Sequence, residues 1–131
     1  MQFTLGKQER LKSRKLTEEL FRNGKTFTVF PVRVFYQFNN KTDWKFPVQA
    51  GVSASGKIFK RSVDRNRIKR LLREAYRLQK NDLYETCLKE EQQLSVFFIY
   101  IDKTLPAYTL LSEKMSVILK KLEDIAREKR S

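Results

Sequence analysis

Lys57-Ile-Phe-Lys-Arg-Ser-Val-Asp-Arg-Asn-Arg-Ile-Lys-Arg-Leu-Leu-Arg-Glu-Ala-Tyr-Arg77 is the stretch on which the reading of this chain turns. Nine of the 28 basic residues lie in these 21 positions against two of the 15 acids, so the segment carries +7 of a formal net +13. The spacing predicts a helix beginning near Asp64, with Ser62 or Asp64 as its N-cap. At about 100° per residue, Arg65, Asn66, Lys69, Arg70, Arg73 and Arg77 share an arc of roughly 140°. Ile68, Leu71, Leu72, Ala75 and Leu78 fill the opposite arc, and Arg67 and Glu74 fall near the boundary.

Like charges this close weaken an isolated helix. Packing of Ile68, Leu72 and Ala75 on a sheet must offset the repulsion, and burying three such side chains contributes on the order of a few kcal/mol. Arginine outnumbers lysine on the cationic arc, and its planar fork takes phosphate oxygens two at a time. Asn66 both donates and accepts, which suits a 2′-hydroxyl, a base edge or a metal-bound water. Asp64 and Glu74 are the only acids in the segment, so a solvated, salt-bridged face is a poor account of it. A membrane-surface or calmodulin-target helix would bring bulky aromatics to its apolar arc, and Ile68, Leu71, Leu72, Ala75 and Leu78 include none. The segment calls for a polyanion, and nucleic acid is the expected partner.

The rest of the chain is a folded body that carries this charge. Its 131 residues suit one domain, and 40% hydrophobic and 12% aromatic content, with ten Phe, is too much for a disordered tail. Cys87 is the single cysteine and there is no histidine, so an internal disulfide and a Cys/His zinc site are excluded by count. The opening residues lack the apolar run of a signal peptide, and Val96–Ile101 is far short of a membrane span. A soluble, cytoplasmic protein with no membrane partner is expected. Residues 78–110 sum to −2 and are expected to face away from the polyanion.

Leu11–Arg22 reads as a short helix, with Leu16, Leu20 and Phe21 apolar and Gly24 as its stop. Val32–Phe38 alternates as a strand, with Val32, Val34, Tyr36 and Phe38 on one face and Arg33, Phe35 and Gln37 on the other. A turn at Asn39–Asp43 leads to a second strand at about Phe46–Ser53, expected to pair antiparallel with the first. Leu94–Ile101 is apolar on both faces and therefore central. Leu110–Arg127 closes the chain as an amphipathic helix whose buried stripe is Leu111, Met115, Ile118, Leu122, Ile125 and Ala126. The order describes an α+β sandwich with one layer of sheet.

Phe35, between Arg33 and Gln37 on the polar face of its strand, is either a stacking platform for an unpaired base or a residue packed under a helix. Phe21 either flanks a cleft there or is buried, and Cys87 reads as an incidental small side chain. Nothing supplies chemistry. Without histidine no Ser/His/Asp or Cys/His set can be built, and no acids pair as in a metal-ion nuclease. Asp64 and Asp102 read as caps or surface charges.

Arg65-Asn-Arg-Ile-Lys-Arg-Leu-Leu-Arg73, preceded by Gly51-Val-Ser-Ala-Ser-Gly-Lys57, resembles the signature of the bacterial ribonuclease P protein family: an RNR motif continuing as I-K-R-x-x-R after a G-x-S-x-S-K-K strand. Arg10-Leu-Lys12 and Leu20-Phe-Arg-Asn-Gly24 resemble that family's first helix, and the later elements fall in its order, so the likeness covers about residues 7–127. Four positions depart from the pattern: Gly56 stands for a lysine, Phe59 for a glycine, Ser62 for an alanine and Thr17 for an aromatic.

The resemblance implies a single domain over residues 1–131, an α-β-β-(β)-α-β-α sandwich with one mixed sheet packed by helices, like the second domain of a ribosomal protein and with a left-handed crossover. It implies a subunit of a ribonucleoprotein that removes the 5′ leader of precursor tRNA, with catalysis by the RNA partner and its Mg2+ and no catalytic residue in this chain. Carried over, Lys57, Arg65, Asn66, Arg67, Lys69, Arg70 and Arg73 contact the catalytic RNA, with Asn66 able to reach a metal through water. Phe35, Arg33, Gln37 and Phe21 form the cleft for the leader. A structural RNA-binding protein, a DNA-binding helix-turn-helix protein and a stand-alone ribonuclease are the competing readings. The helix-turn-helix would need a helix, not strand residues, just before the motif.

Overall fold

The computed structural model describes residues 6, 9–40 and 46–130. Its elements are α1 (Arg14–Asn23), β1 (Lys25–Val29), β2 (Val32–Asn40), β3 (Val48–Ala54), α2 (Ser62–Gln79), α3 (Asn81–Lys89), β4 (Gln92–Tyr100) and α4 (Tyr108–Arg130). The strands form one mixed sheet in the order β1-β2-β4-β3. β1 with β2 and β2 with β4 are antiparallel, whereas β3 runs parallel to β4. The α+β class and the single sheet are as expected.

Alternation along β2 decides which face each side chain meets. Val32, Val34 and Phe38 are buried under helices, in register with Tyr100, Phe98 and Leu94 of β4. Tyr76 of α2 lies 5.5 Å, ring to ring, from Phe98, and the α2, α3 and α4 side chains Ile68, Leu72, Leu83, Met115, Ile118 and Leu122 complete this core. The opposite face carries Phe35 and Phe97, and α1 lies there, its Phe21 ring against both. β4 holds the centre because both of its faces are covered, as its unbroken apolar run requires.

Three features differ from expectation. β3 does not pair with β2; β4 lies between them, and β3 joins it in parallel through the α2–α3 crossover. The antiparallel partner of β2 on its other side is β1, a five-residue strand whose Thr26 and Thr28 face outward. Its brevity and polar edge gave little signal. Finally, α3 follows α2 with only Lys80 between them, itself in a helical conformation, so no glycine or proline marks the joint.

Helix α1 starts later than the periodicity suggests. Ser13 caps it, its hydroxyl accepting the Leu16 N–H at 3.3 Å. Gly24 ends it, but with φ −73° rather than a left-handed conformation. A Cβ at Gly24 would stand 2.4 Å from the Leu20 carbonyl oxygen, so close approach and not a positive φ requires glycine there. Of the expected α4 stripe, Ile125 is half-buried and the remaining members are buried, together with Leu119. The expected turn at Asn39–Asp43 runs into residues 41–45, outside the described residues. Cys87 is buried, and burial with the nearby Glu123 charge pushes its thiol up to about 12, which keeps it an inert core side chain. Among the described residues no helix is long and apolar enough to cross a membrane.

Candidate nucleic-acid interface

Ile68, Leu72, Ala75 and Tyr76 anchor α2 on the sheet and on α4. Tyr76 turns the buried side toward Arg65, so the exposed arc is rotated relative to the even wheel. Asn66, Arg67, Arg70 and Arg73 are exposed and Lys69 is half-buried. Among the described residues none of these four cations meets a carboxylate, since the Glu74 side chain is taken by Arg77. Arg67, expected at the boundary, belongs to the open face. The arrangement is a rigid row of unneutralised guanidinium and ammonium groups.

Arg65 departs from the expected set. Its guanidinium donates to the carbonyl oxygens of Phe59 and Lys60, at 2.7 and 2.9 Å, and the side chain is half-buried. It fastens the β3–α2 loop to the helix. Arg61 is the N-cap of α2 and no side chain caps the helix, so neither Ser62 nor Asp64 does. The helix begins at Ser62, earlier than expected, which leaves Asp64 in the first turn, where its charge complements the helix dipole. Asp102 caps no helix; it orders the β4–α4 loop, accepting from Lys103 N–H at 2.7 Å and the Thr104 hydroxyl at 3.1 Å.

The loop before α2 extends the cationic surface through exposed Lys57, Lys60 and Arg61. Phe59 is buried beside Tyr100, ring centroids 6.0 Å apart, and its N–H bonds to the Ser55 carbonyl at 2.9 Å. The unusual phenylalanine is thus a plug beneath the loop. Nothing lies within 4 Å of where a Gly56 side chain would begin. Thr17, the departure in α1, donates its hydroxyl to the Ser13 carbonyl at 2.9 Å.

The second group lies across the sheet. Phe21 stands edge-on to Phe35 at 5.0 Å and to Phe97 at 5.1 Å. Phe21 is 43% exposed, so a core role for it is overturned. Phe35 is half-buried beneath it, with exposed Arg33 and half-buried Gln37 before and after it on the same face. Phe97 went unrecognised because its strand reads as core throughout. The available signal was Gly51, directly across from it in register, where a Cβ would meet the Phe97 ring at 2.5 Å. The structure therefore brings Asn66, Arg67, Lys69, Arg70 and Arg73 together on one side, and Phe21, Phe35 and Arg33 on the other. Among the described residues no three His, Cys, Asp or Glu side chains gather as a metal cage.

A helix whose Arg67, Lys69, Arg70 and Arg73 meet no carboxylate among the described residues on one face of a mixed sheet, and an aromatic cluster on the other, define a protein shaped to meet a polyanionic chain. The Ribonuclease P family model matches residues 5–123. The ribonuclease P protein component of Porphyromonas gingivalis is 35% identical over 113 residues, covering 86% of this chain and 82% of that protein. That of Chlorobium phaeobacteroides is 32% identical over 126 residues, covering 88% and 86%. The RNase P protein of Thermotoga maritima superposes with a TM-score of 0.66 at 21% identity, over 86% of this chain and 96% of that one. The Staphylococcus aureus RNase P protein does so with 0.64 at 18% identity, over 86% and 93%. The chain belongs to the ribonuclease P protein family.

Proposed function

We propose that this chain is the protein subunit of a ribonuclease P ribonucleoprotein and assists removal of the 5′ leader from precursor tRNA. The observation that carries the reading is the open row of Arg67, Lys69, Arg70 and Arg73, without a carboxylate partner among the described residues, in a chain matched by its family over residues 5–123. In this reading the row, with Asn66 and Lys57, binds the catalytic RNA, and Arg65 holds the loop that presents it. The Phe21–Phe35 cleft, flanked by Arg33 and Gln37, takes the single-stranded leader, each stacked base contributing about 1–3 kcal/mol.

The chain supplies position and charge rather than bond chemistry. Cleavage belongs to the RNA subunit with Mg2+, which would polarise phosphate oxygens and activate water. We assign that ion mainly to the RNA. The exposed amide of Asn66 would be able to meet a water held by such an ion. Holding the leader in place beside the RNA would favour occupancy of metal sites nearby by fixing the oxygens that ligate the ion. We place the protein in the cytoplasm with its tRNA substrate, with no membrane or DNA partner.

Purified protein incubated with precursor tRNA, with and without the cognate RNA subunit and Mg2+, tests the reading. Stimulated leader removal only when RNA and protein are both present is expected at low Mg2+. Cleavage by protein alone would sink it. RNA binding without stimulation would favour a structural RNA-binding protein instead.

A further inference from the structure

Residues 10–12 lie along the outer edge of β3. Arg10 bridges Ala50 in parallel, and the Leu11 N–H bonds to the Ala50 carbonyl at 2.9 Å. Just before them, Glu9 is 2% exposed and forms a buried ion pair with Lys80, itself 2% exposed. The same carboxylate accepts from the Tyr84 hydroxyl at 2.7 Å and the Gly6 N–H at 2.9 Å. A buried ion pair stabilises little over an apolar pair, and its best-attested use is to fix register. Here it fixes where Arg10 and Lys12 stand.

They stand beside Arg73. Between this segment, β3 and α2 lies a notch of about 190 Å³ whose lining includes Arg10, Lys12, Arg73, Gly51, Val52 and Phe97. No carboxylate lines it, and none of the three cations has an ion-pair partner among the described residues. Arg10, Lys12 and Arg73 are all exposed. Three like charges converging on one recess repel one another unless an anion enters it. At roughly 30 Å³ per water, the recess holds about six waters, space for one phosphate with its sugar and not for a folded element.

Its position sets the identity of that anion. Phe97, on its floor, is the inner ring of the Phe21–Phe97 contact, while Arg73, on its wall, belongs to the cationic row of α2. At the notch both faces of the sheet contribute to a single recess at the β3 edge. We infer that it seats one phosphodiester of an RNA strand that passes from the aromatic cleft around the β3 edge toward α2. The inference deepens the RNA-subunit reading and rests on it. The strand is either the leader or a segment of the catalytic RNA.

The test uses the assembled ribonucleoprotein and the double variant R10Q/K12Q, with R10K/K12R as the charge-keeping control. Two equilibria are titrated with salt: protein with RNA subunit, and holoenzyme with precursor tRNA carrying or lacking a leader. In one of them the slope of log K against log salt falls by about one to two units, roughly one for each phosphate no longer neutralised, with the thermal midpoint unchanged and the slope retained by R10K/K12R. A reduced slope confined to leader-bearing precursor assigns the phosphodiester to the leader, and a reduced slope in subunit assembly assigns it to the catalytic RNA. Unchanged slopes in both, where Arg70→Ala lowers the assembly slope, overturn the notch and leave the RNA-subunit reading standing. No assembly by the unaltered chain overturns both.

Discussion

Nη1 of Arg65 donates to the Phe59 carbonyl oxygen at 2.7 Å, tying the first arginine of the RNR motif to the loop that precedes it. The Phe59 ring is buried against Tyr100, so the carbonyl is held in place from below. Arg65→Ala is therefore expected to lower stability by about 1–2 kcal/mol, a charged hydrogen bond reduced by partial exposure. Denaturant unfolding measures the loss. The salt slope of RNA binding should move much less than for Arg70→Ala, and a full unit of change would place Arg65 on a phosphate.

Arg70 and Arg73 are exposed and without carboxylate partners among the described residues. Replacing either with Ala is expected to shallow the salt dependence of RNA affinity by roughly one unit each, through fewer counterions released. Stability should stay within about 0.5 kcal/mol, as for surface substitutions generally. Unaltered slopes would take these side chains off the RNA backbone.

Phe35→Ala should weaken binding of leader-bearing precursor by about 1–3 kcal/mol if one base stacks there. Its ring also meets Phe21 at 5.0 Å, and such a pair contributes about 0.5–1.5 kcal/mol. The discriminating measurement is the leaderless tRNA, whose affinity is expected to be unaffected. Equal loss for both substrates would make Phe35 a packing residue.

Gly51→Ala would drive a Cβ to 2.5 Å from the Phe97 ring. Overpacking of this kind costs about 1–3 kcal/mol, because the ring must leave its place against Phe21. Shortening the ring in the same chain, as Phe97→Leu, should recover most of that stability in a double-mutant cycle. Strict additivity of the two would show that the two positions are not coupled.

Burial pushes the Glu9 carboxyl up. The hydrogen bonds from Lys80, Gly6 and Tyr84, with the Lys80 charge, outweigh it and hold the group below its ordinary value. A carboxyl depressed on folding contributes stability that is fully present above its unfolded pKa and is lost as pH falls through the folded one. The contribution of Glu9 should accordingly begin to fade as pH falls into the ordinary carboxylate range and be gone below its folded pKa. Glu9→Gln should flatten that acid limb and destabilise the neutral protein by about 3–5 kcal/mol, because it removes the carboxylate charge beside buried Lys80. Unfolding curves across the acid range up to neutral pH decide it, and an acid limb equal in both proteins would remove Glu9 as its source.

Periodicity alone was enough to place the cationic helix, the alternating strand at Val32–Phe38 and the central strand at Leu94–Ile101, which the structure forms over Gln92–Tyr100. Each is long and strongly patterned, so local spacing reports directly on which side is buried. The same patterning was enough to point to nucleic acid, and it was the family resemblance of the run around Asn66 and Arg67 that named RNA. The short polar strand Lys25–Val29 and the helix Asn81–Lys89 carry too little contrast to be read that way.

Other relationships existed only once the chain was folded. The parallel pairing of β3 with β4, the diversion of Arg65 to backbone carbonyls and the exposure of Phe21 depend on the folded surroundings of each residue. So does the gathering of Arg10, Lys12, Arg73 and Phe97, set by a Glu9–Lys80 pair that spans 71 residues. Charge density and hydrophobic period are properties of neighbours along the chain. Which cation keeps its charge for a ligand, and which turns it to the protein's own backbone, is decided by contacts across it.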